Sequence, residues 1–112
     1  MSRQLYYAPW FDADVHYYLA WYAEQGGANL AERLVSALDA TVKKLASHPD
    51  LGRRPFPRDT DLIDLHSLLV QPPFNKLVIF YRYGERALTL ERLIHGARDL
   101  PRRLRESPFE RE

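Results

Sequence analysis

Cysteine is absent from the 112 residues of the chain. Its absence excludes disulfide bonds, zinc sites built on thiolates and cysteine nucleophiles, and it suits a protein that works in a reducing compartment. No apolar run approaches the roughly 20 residues that a membrane-spanning helix needs. The N-terminal segment MSRQLYYAPWFDAD also lacks the apolar core of a signal peptide. We therefore predict a cytoplasmic protein without a membrane partner.

Sequence motifs for metal, phosphate and nucleophilic chemistry are missing as well. The histidines show no ligand spacing such as HxxxH: they are His16, His48, His66 and His95. The sequence contains neither a glycine-rich phosphate loop nor a nucleophile elbow. We therefore expect neither a metal ion nor a cofactor.

Neither sign of charge is in large excess. The chain has 16 basic and 15 acidic residues, and its formal net charge is +1. The distribution of charge is uneven, however. Acidic residues mark the first predicted helix, whereas arginines gather near the C-terminal end: Arg92, Arg98, Arg102, Arg103 and Arg105. Such a local patch can attract nucleic acid or an acidic partner, and a solvated arginine-rich face explains the same pattern.

The composition is that of one globular domain. Hydrophobic residues make up 46% of the chain and charged residues 28%, which is ordinary for a soluble globular protein. The length allows one core but is too short for two domains. We predict a single domain over residues 1–106 and a flexible tail over residues 107–112.

The stretch over residues 76–99 organises the chain, and it begins with a predicted hairpin. Residues 77–81 (LVIFY) form an unbroken apolar run, typical of a strand that is buried on both faces. Residues 83–86 then predict a tight reversal, in which Gly84 supplies the positive φ of a hairpin turn.

The return strand of this hairpin spans residues 87–94. Strict alternation places four side chains on one face, and an arginine is the odd member among them: Leu88, Leu90, Arg92 and Ile94. Gly96 ends the strand, and a group of chemistry-bearing residues lies beside it: His95, Arg98 and Asp99. We therefore expect any site of chemistry or contact at this corner.

The first half of the chain predicts a strand followed by two helices. Residues 3–8 are β-prone, and Pro9 suits the first turn of a helix. An apolar and aromatic stripe at helical spacing follows: Phe11, Val15, Tyr18 and Tyr22. Gly26 and Gly27 stop this helix, and residues 28–47 form a second amphipathic one. Together they predict a helical hairpin.

The remaining elements complete an α+β fold. Residues 62–71 predict a third strand, whose broken alternation is reconciled by a bulge near Ser67. Residues 100–106 predict a short C-terminal helix. The order is then β-α-α-β-β-β, with the helical hairpin packed on one face of a small, mostly antiparallel sheet.

Three segments in this order resemble one known family. They are LASHPDLGRR after the second helix, VIFYRY in the central strand and LIHGARD at the closing corner. Together with the element order, they resemble the ParE branch of the RelE/ParE toxins, the plasmid stabilisation family found in bacterial type II toxin–antitoxin pairs. The resemblance extends over residues 7–100.

The resemblance implies a fold, a partner and a target. The fold is a helical hairpin against a twisted antiparallel sheet. The partner is a cognate, ParD-like antitoxin, whose C-terminal segment wraps the toxin in a hetero-oligomer and neutralises it. ParE-like members inhibit DNA gyrase, whereas RelE-like relatives cleave mRNA in the ribosome.

The sequence contains some ingredients of an RNA-cleaving site. Such a site needs an acid, a base and cations that stabilise the reacting phosphate. The candidates are His95 as acid or base, with Arg82, Arg92 and Arg98 as phosphate-binding cations. Compared with RelE-like ribonucleases the set is incomplete, because beyond His95 the only aromatic residue is Phe109. We therefore predict a ParE-like toxin that acts by protein binding. The alternatives are an mRNA endonuclease and an inactive scaffold that only binds an antitoxin.

Two sets of contact residues follow from this interpretation. Residues of the closing corner and the last helix are predicted to contact the target: Arg92, His95, Arg98, Arg102 and Arg103. Aromatic residues of the first helix and the central strand are predicted to contact the antitoxin: Trp10, Tyr17, Trp21, Tyr81 and Tyr83. For Arg92, an ion pair with Glu91 or Asp99 is the structural alternative. For His95 it is a ring that caps the strand end.

Overall fold

The structure, a computed structural model, describes residues 2–96 and 100–110. Its four strands are β1 (Gln4–Tyr7), β2 (His66–Leu69), β3 (Leu77–Tyr83) and β4 (Ala87–His95), and its two α-helices are α1 (Pro9–Ser47) and α2 (Leu100–Arg105). Two short 3₁₀ helices follow α1 and α2, at Pro49–Leu51 and Pro108–Glu110. Among the described residues, no helix is long and apolar enough to cross a membrane.

The strands form one mixed sheet in the order β1-β4-β3-β2. The pairs β2–β3 and β3–β4 are antiparallel, whereas β1 lies parallel to β4. Together with the helices, this sheet confirms the predicted α+β fold. The reversal between β3 and β4 closes through a hydrogen bond from the Gly84 amide to the Ala87 carbonyl, 2.9 Å long. Gly84 does not supply a positive φ there, because the described glycines with positive φ are Gly27 and Gly96.

The glycine pair divides α1 into two arms. Gly27 leaves the helical conformation, with φ 79° and ψ −176°. A straight helix of 39 residues measures about 58 Å, whereas the molecule is 38 Å along its longest axis. The two ends of α1 lie at the same sheet edge: the Arg3 amide, just before β1, donates to the Ala46 carbonyl near the end of α1, and the Ala8 amide, just before the start of α1, donates to the Leu90 carbonyl of β4. The predicted helical hairpin is therefore confirmed.

The sheet is buried on both faces. Both arms of α1 cover one face, where Leu34, Leu38 and Leu45 pack against Ile79 and Tyr81 of β3. The other face carries a smaller cluster formed by Leu62, Leu65, Phe80, Ile94 and Leu104. Because β3 contributes to both clusters, its prediction as a strand buried on two faces is confirmed.

The predicted third strand is too long. Leu62 and Leu65 lie in turns before β2 and are buried under the sheet. The pairing of β2 with β3 runs without interruption from His66 to Leu69, so the bulge expected near Ser67 is absent from this pair. An apolar pattern alone does not distinguish a strand from turns whose side chains pack into the same core.

The bulge lies in β4 instead. Phe80 pairs with Arg92 and the next residue, Tyr81, pairs with Leu90, so Glu91 is the extra residue. This shift breaks the strict alternation that the sequence predicts. Leu93 joins the core under α1, whereas Ile94 packs on the opposite face.

The segment that follows α2 contains a further short element. In the predicted tail over residues 107–112, Pro108 is buried and begins the second 3₁₀ helix. Leu104 of α2 is buried as well, so the C-terminal segment packs onto the domain.

Candidate functional site

A cavity of about 440 Å³ opens between the first arm of α1, the end of β4 and α2. Tyr17, Tyr18 and Trp21 form its helical wall, Arg92, Ile94 and His95 of β4 its floor, and Arg103, Glu106 and Ser107 its far rim. Its volume falls within the range of roughly 300–1,000 Å³ that is usual for ligand pockets. We call this cavity the corner pocket.

The aromatic wall of the corner pocket is held in place from the core. Tyr17 and Trp21 lie one helical turn apart, with 40% and 42% of their surfaces exposed. Trp21 makes an edge-to-face contact with Tyr22 at 4.9 Å between ring centroids, and Tyr22 makes another with buried Phe74 at 5.3 Å. The indole of Trp21 is therefore solvent-accessible but fixed by an aromatic chain that reaches the core.

His95 ends β4 at the floor of the pocket. Its ring centroid lies 6.4 Å from that of Tyr18 and 6.4 Å from that of Trp21. Burial lowers the pKa of the imidazole below its usual range, and the positive charges of Lys76 and Arg103 lower this pKa further. The imidazole is consequently neutral at pH about 7.

The strand end at His95 is capped by two neighbouring side chains. The backbone amide of His95 donates to the Tyr18 hydroxyl at 3.0 Å, and Arg103 donates to the His95 carbonyl at 2.7 Å. These two hydrogen bonds connect α1, β4 and α2 at the pocket.

Arg92, which lines the pocket, forms a buried ion pair with Asp14. The guanidinium donates from Nε to Asp14 Oδ2 at 2.8 Å and from Nη2 to Oδ1 at 3.2 Å. Asp14 Oδ2 also accepts from the Leu93 amide at 2.9 Å. Asp14 and Arg92 are 0% and 6% exposed, so this ion pair is buried. Of the two predicted partners of Arg92, Glu91 lies beside Arg82 instead, at 3.6 Å, and Asp99 lies outside the described residues.

The same guanidinium holds the C-terminal helix. Arg92 Nη1 donates to the carbonyls of Arg103, Leu104 and Glu106, at 3.1, 3.0 and 3.0 Å. A cation at the last carbonyls of a helix is favourable because these groups have no partner within the helix. The Trp10 ring covers the guanidinium at 5.2 Å. Arg92 therefore joins β4 to α1 and α2, and its roles as a target contact and a phosphate-binding cation stay predictions.

Of the candidate RNA-cleaving residues, His95 and Arg92 line the same pocket, whereas Arg82 lies far from both. His95 pairs with Leu77, and Arg82 follows Leu77 by five residues along β3, which is about 17 Å. Arg82 also points to the opposite face of the sheet, where it donates to the Asp61 carbonyl at 2.7 Å. Arg98 lies outside the described residues. Within residues 2–96 and 100–110, no group of three or more metal-ligating side chains is found.

Comparisons with known proteins identify the family of the chain. A family model described as "ParE toxin of type II toxin-antitoxin system, parDE" matches residues 5–100. The chain belongs to the ParE toxin family. Among solved structures, "Chromosomal ParDE TA system from P. aeruginosa" is similar to it, with a TM-score of 0.69 and 14% identity over 86% of this chain and 98% of that chain. At this identity the likeness concerns the fold. No curated protein matches the chain.

Two arginines of the predicted basic cluster of this ParE-family chain pair with acids of the chain itself. Arg102 pairs with Glu106 at 2.6 Å, and Arg105 pairs with Asp59 at 2.9 Å. The hydrogen bond from Arg105 lowers the pKa of the Asp59 carboxyl. Arg102 and Arg103 remain predicted target contacts, on a helix whose charge is partly neutralised.

The predicted antitoxin contacts are divided between two ends of the molecule. Trp10, Tyr17 and Trp21 lie along one flank of the first arm of α1. Tyr83 lies at the far end of β3, half-buried beside His66 with 5.0 Å between ring centroids. Tyr81 is fully buried, so its side chain is not available to a partner.

Tyr81 has a structural task in this ParE-family fold. Its hydroxyl donates to the Pro49 carbonyl and accepts from the Gly52 amide at 2.9 Å, which fixes the turn after α1. Burial raises the pKa of Tyr81 to about 12. The apolar run of β3 in the sequence already indicated that this residue is internal.

Proposed function

We propose that this protein is a toxin that inhibits DNA gyrase by binding it, and that a cognate antitoxin neutralises the toxin. Membership of the ParE family supports the toxin class. The observation that carries the non-enzymatic mechanism is the engagement of Arg92 in a buried ion pair with Asp14. Because its Nε and both Nη atoms donate to Asp14 or to backbone carbonyls, the Arg92 guanidinium has little hydrogen-bonding capacity left for a reacting phosphate.

The corner pocket supports protein binding because of its residue types. Tyr, Trp and Arg are the side chains that most often dominate the binding energy of protein interfaces. The pocket presents Tyr17, Trp21 and Arg103 together. A rigid exposed tryptophan beside an arginine is the composition of an anchor site for a protein partner.

Neutralisation by the antitoxin is supported by the position of the two predicted contact sets. Tyr17 and Trp21 belong to the predicted antitoxin contacts, whereas His95 and Arg103 belong to the predicted target contacts. All four line the corner pocket. An antitoxin segment on the aromatic wall therefore covers the surface that we assign to gyrase.

The test is to induce the toxin in growing cells, with and without the antitoxin encoded beside it. We expect relaxed or broken plasmid DNA and growth arrest, both reversed by the antitoxin, while primer extension shows intact transcripts. Discrete cuts in translated mRNA that disappear in His95→Ala would favour the endonuclease instead. Normal growth and normal plasmid topology would favour the inactive scaffold.

The endonuclease has one observation in its favour. His95 is neutral at pH about 7 and lies in a cavity that Arg103 also lines. A neutral imidazole can accept a proton from a 2′-hydroxyl. His95 as proton acceptor and Arg103 as cation are the minimum that RNA cleavage needs. Primer extension on transcripts therefore decides between the endonuclease and the gyrase inhibitor.

A further inference from the structure

We propose that the protein forms a two-fold symmetric dimer, in which the free edge of β1 pairs antiparallel with β1 of a second copy of the chain. The pairing joins the two four-stranded sheets into one continuous sheet. The inference depends neither on the target of the toxin nor on the antitoxin, and it concerns a surface outside the corner pocket.

The outer side of β1 carries backbone groups that face away from the sheet. In the part of the chain that the structure describes, β1 pairs with β4 and with no second strand. The amides of Gln4 and Ala8 both donate to carbonyls of the β4 side. Because a strand in a parallel pair bonds its neighbour through every second residue, the even-numbered residues face β4. The amides and carbonyls of Leu5 and Tyr7 therefore point outward.

This open edge is short and is bounded at both ends. The Arg3 amide donates to the Ala46 carbonyl, so the end of α1 covers the edge before Leu5. At the other end, α1 begins at Pro9 and leaves the sheet edge. The open edge comprises residues 5–7, which is too short to hold a long added strand. The same edge of a second copy has this length.

The edge is complementary to itself about a two-fold axis at Tyr6. In an antiparallel pair centred there, Leu5 lies opposite Tyr7 of the second copy, and Tyr7 lies opposite the second Leu5. Both are hydrogen-bonded pairs, in which the facing residues exchange N–H···O bonds in both directions. Tyr6 meets Tyr6 of the second copy in a non-hydrogen-bonded pair, where facing side chains lie closest.

The side chains of the edge suit a second copy. Tyr6 and Tyr7 are 53% and 50% exposed, and the Tyr7 ring is held by Phe11 at 6.0 Å between centroids. Aromatic cross-strand pairs are stabilising, whereas like charges placed opposite each other are not. Residues 5–7 carry no charge, and β1 contains neither the lysine nor the proline that commonly protects an edge strand.

The opposite edge of the sheet is covered by the chain itself. On the outer side of β2, the Arg53 amide donates to the Ser67 carbonyl at 3.1 Å, and the Ser67 amide donates to the Arg53 carbonyl at 2.8 Å. This loop occupies the place that an added strand takes. Of the two sheet edges, β1 is therefore the one that we assign to the dimer.

The dimer and the corner pocket use different ends of β4. β1 pairs with Ala87–Leu90, whereas His95 lies five residues beyond Leu90, or about 17 Å along the strand. Pairing of β1 with a second copy therefore leaves the corner pocket accessible, so failure of the dimer and failure of the proposed function are distinguishable.

Because the chain contains no cysteine, a single introduced thiol tests the register. In a Tyr6→Cys dimer the two thiols face each other across the axis, with Cα atoms about 4.5 Å apart, which a disulfide spans. We expect oxidised glutathione to convert this full-length variant into a disulfide-linked dimer on a non-reducing gel. Leu69→Cys, at a 56% exposed position of β2, is the matched control and should stay monomeric. Equal crosslinking of the two variants, whether extensive or absent, would overturn the proposal.

Sedimentation of the unaltered protein tests the dimer without a crosslink. The mass should rise from 13.1 kDa towards twice that value as the protein is concentrated. Tyr6→Lys places two like charges opposite each other and should raise the dissociation constant at least about tenfold, whereas Leu69→Lys should associate like the unaltered protein. Melting curves verify the fold of both variants. A monomer at every concentration, or a dimer that Tyr6→Lys leaves intact, contradicts the proposal.

Discussion

At the scale of single residues, the contact between Asp14 and Arg92 holds three elements together. It joins α1 to β4 through two hydrogen bonds, and the same guanidinium binds three carbonyls at the end of α2. A buried pair of this kind adds little over an apolar contact of equal volume, but removal of one partner leaves an uncompensated buried charge. The ion pair therefore helps to keep the C-terminal helix α2 packed against β4.

Arg92→Met should destabilise the protein by about 3–5 kcal/mol, because Asp14 then lies buried without its cation. The free energy of unfolding, measured by urea denaturation, tests this. The matched control is Arg105→Ala, whose exposed pair with Asp59 is screened by solvent, so little change is expected. Equal denaturation midpoints for the two variants would contradict the account of Arg92.

A double-mutant cycle that includes Asp14 tests the ion pair with Arg92 directly. The double variant Asp14→Leu/Arg92→Met should be more stable than the sum of the two single changes implies, since no unpaired charge is then buried. Simple additivity in the double-mutant cycle would show that the two side chains act independently.

His95 makes the stability of the protein depend on pH in one direction. Its folded-state pKa lies below the unfolded value of about 6.5. Below pH about 6.5 the unfolded chain binds the proton more readily, so stability falls as the pH decreases through the folded-state pKa. Melting temperatures recorded from pH about 8 to about 5 should therefore fall less for His95→Gln than for the unaltered protein. Identical profiles would contradict this role of His95.

At the scale of elements, Gly27 sets the direction of the second arm of α1. Its φ of 79° and ψ of −176° belong to a region that is almost exclusive to glycine. This conformation divides the two arms, both of which are needed to cover the sheet. The sequence predicted this break correctly because two adjacent glycines remove both side-chain packing and helix propensity.

Gly27→Ala should cost about 1–3 kcal/mol of stability, because alanine is strained in this conformation. The control is Gly84→Ala, where φ is not positive and no heavy atom lies within 4 Å of an added Cβ. Unfolding by urea compares the two variants. A Gly84 variant as unstable as the Gly27 variant would contradict the assignment of strain to Gly27.

The β4 bulge shows where prediction of elements from sequence fails. A one-residue insertion in the pairing changes which face each later side chain occupies. The sequence of β4 marks the anomaly, because Arg92 falls among aliphatic residues, but it does not show that Glu91 is the extra residue. Only the pairing of β4 with β3, in which Phe80 pairs with Arg92 and Tyr81 with Leu90, shows where the register shifts.

At the scale of the whole molecule, the layer arrangement was predictable and the site only in part. Periodicity and glycine positions indicate the helical hairpin and the central strands, since these depend on local patterns. The corner pocket depends on residues far apart in the chain, such as Tyr18 and His95, which no local pattern connects. Three residues of the site were not predicted as site residues from the sequence: Asp14, Tyr18 and Glu106. For Asp14 a signal existed, because an acid lies within the aromatic flank of the first helix.

The most direct test of the central claim is a supercoiling assay with purified gyrase, relaxed plasmid and ATP, titrated with the full-length toxin. Binding without catalysis predicts that supercoiling falls as toxin is added, and that prior mixing with the cognate antitoxin restores it. The same toxin should leave mRNA intact on translating ribosomes. Full supercoiling activity at toxin excess, together with ribosome-dependent cleavage of mRNA, would contradict the account.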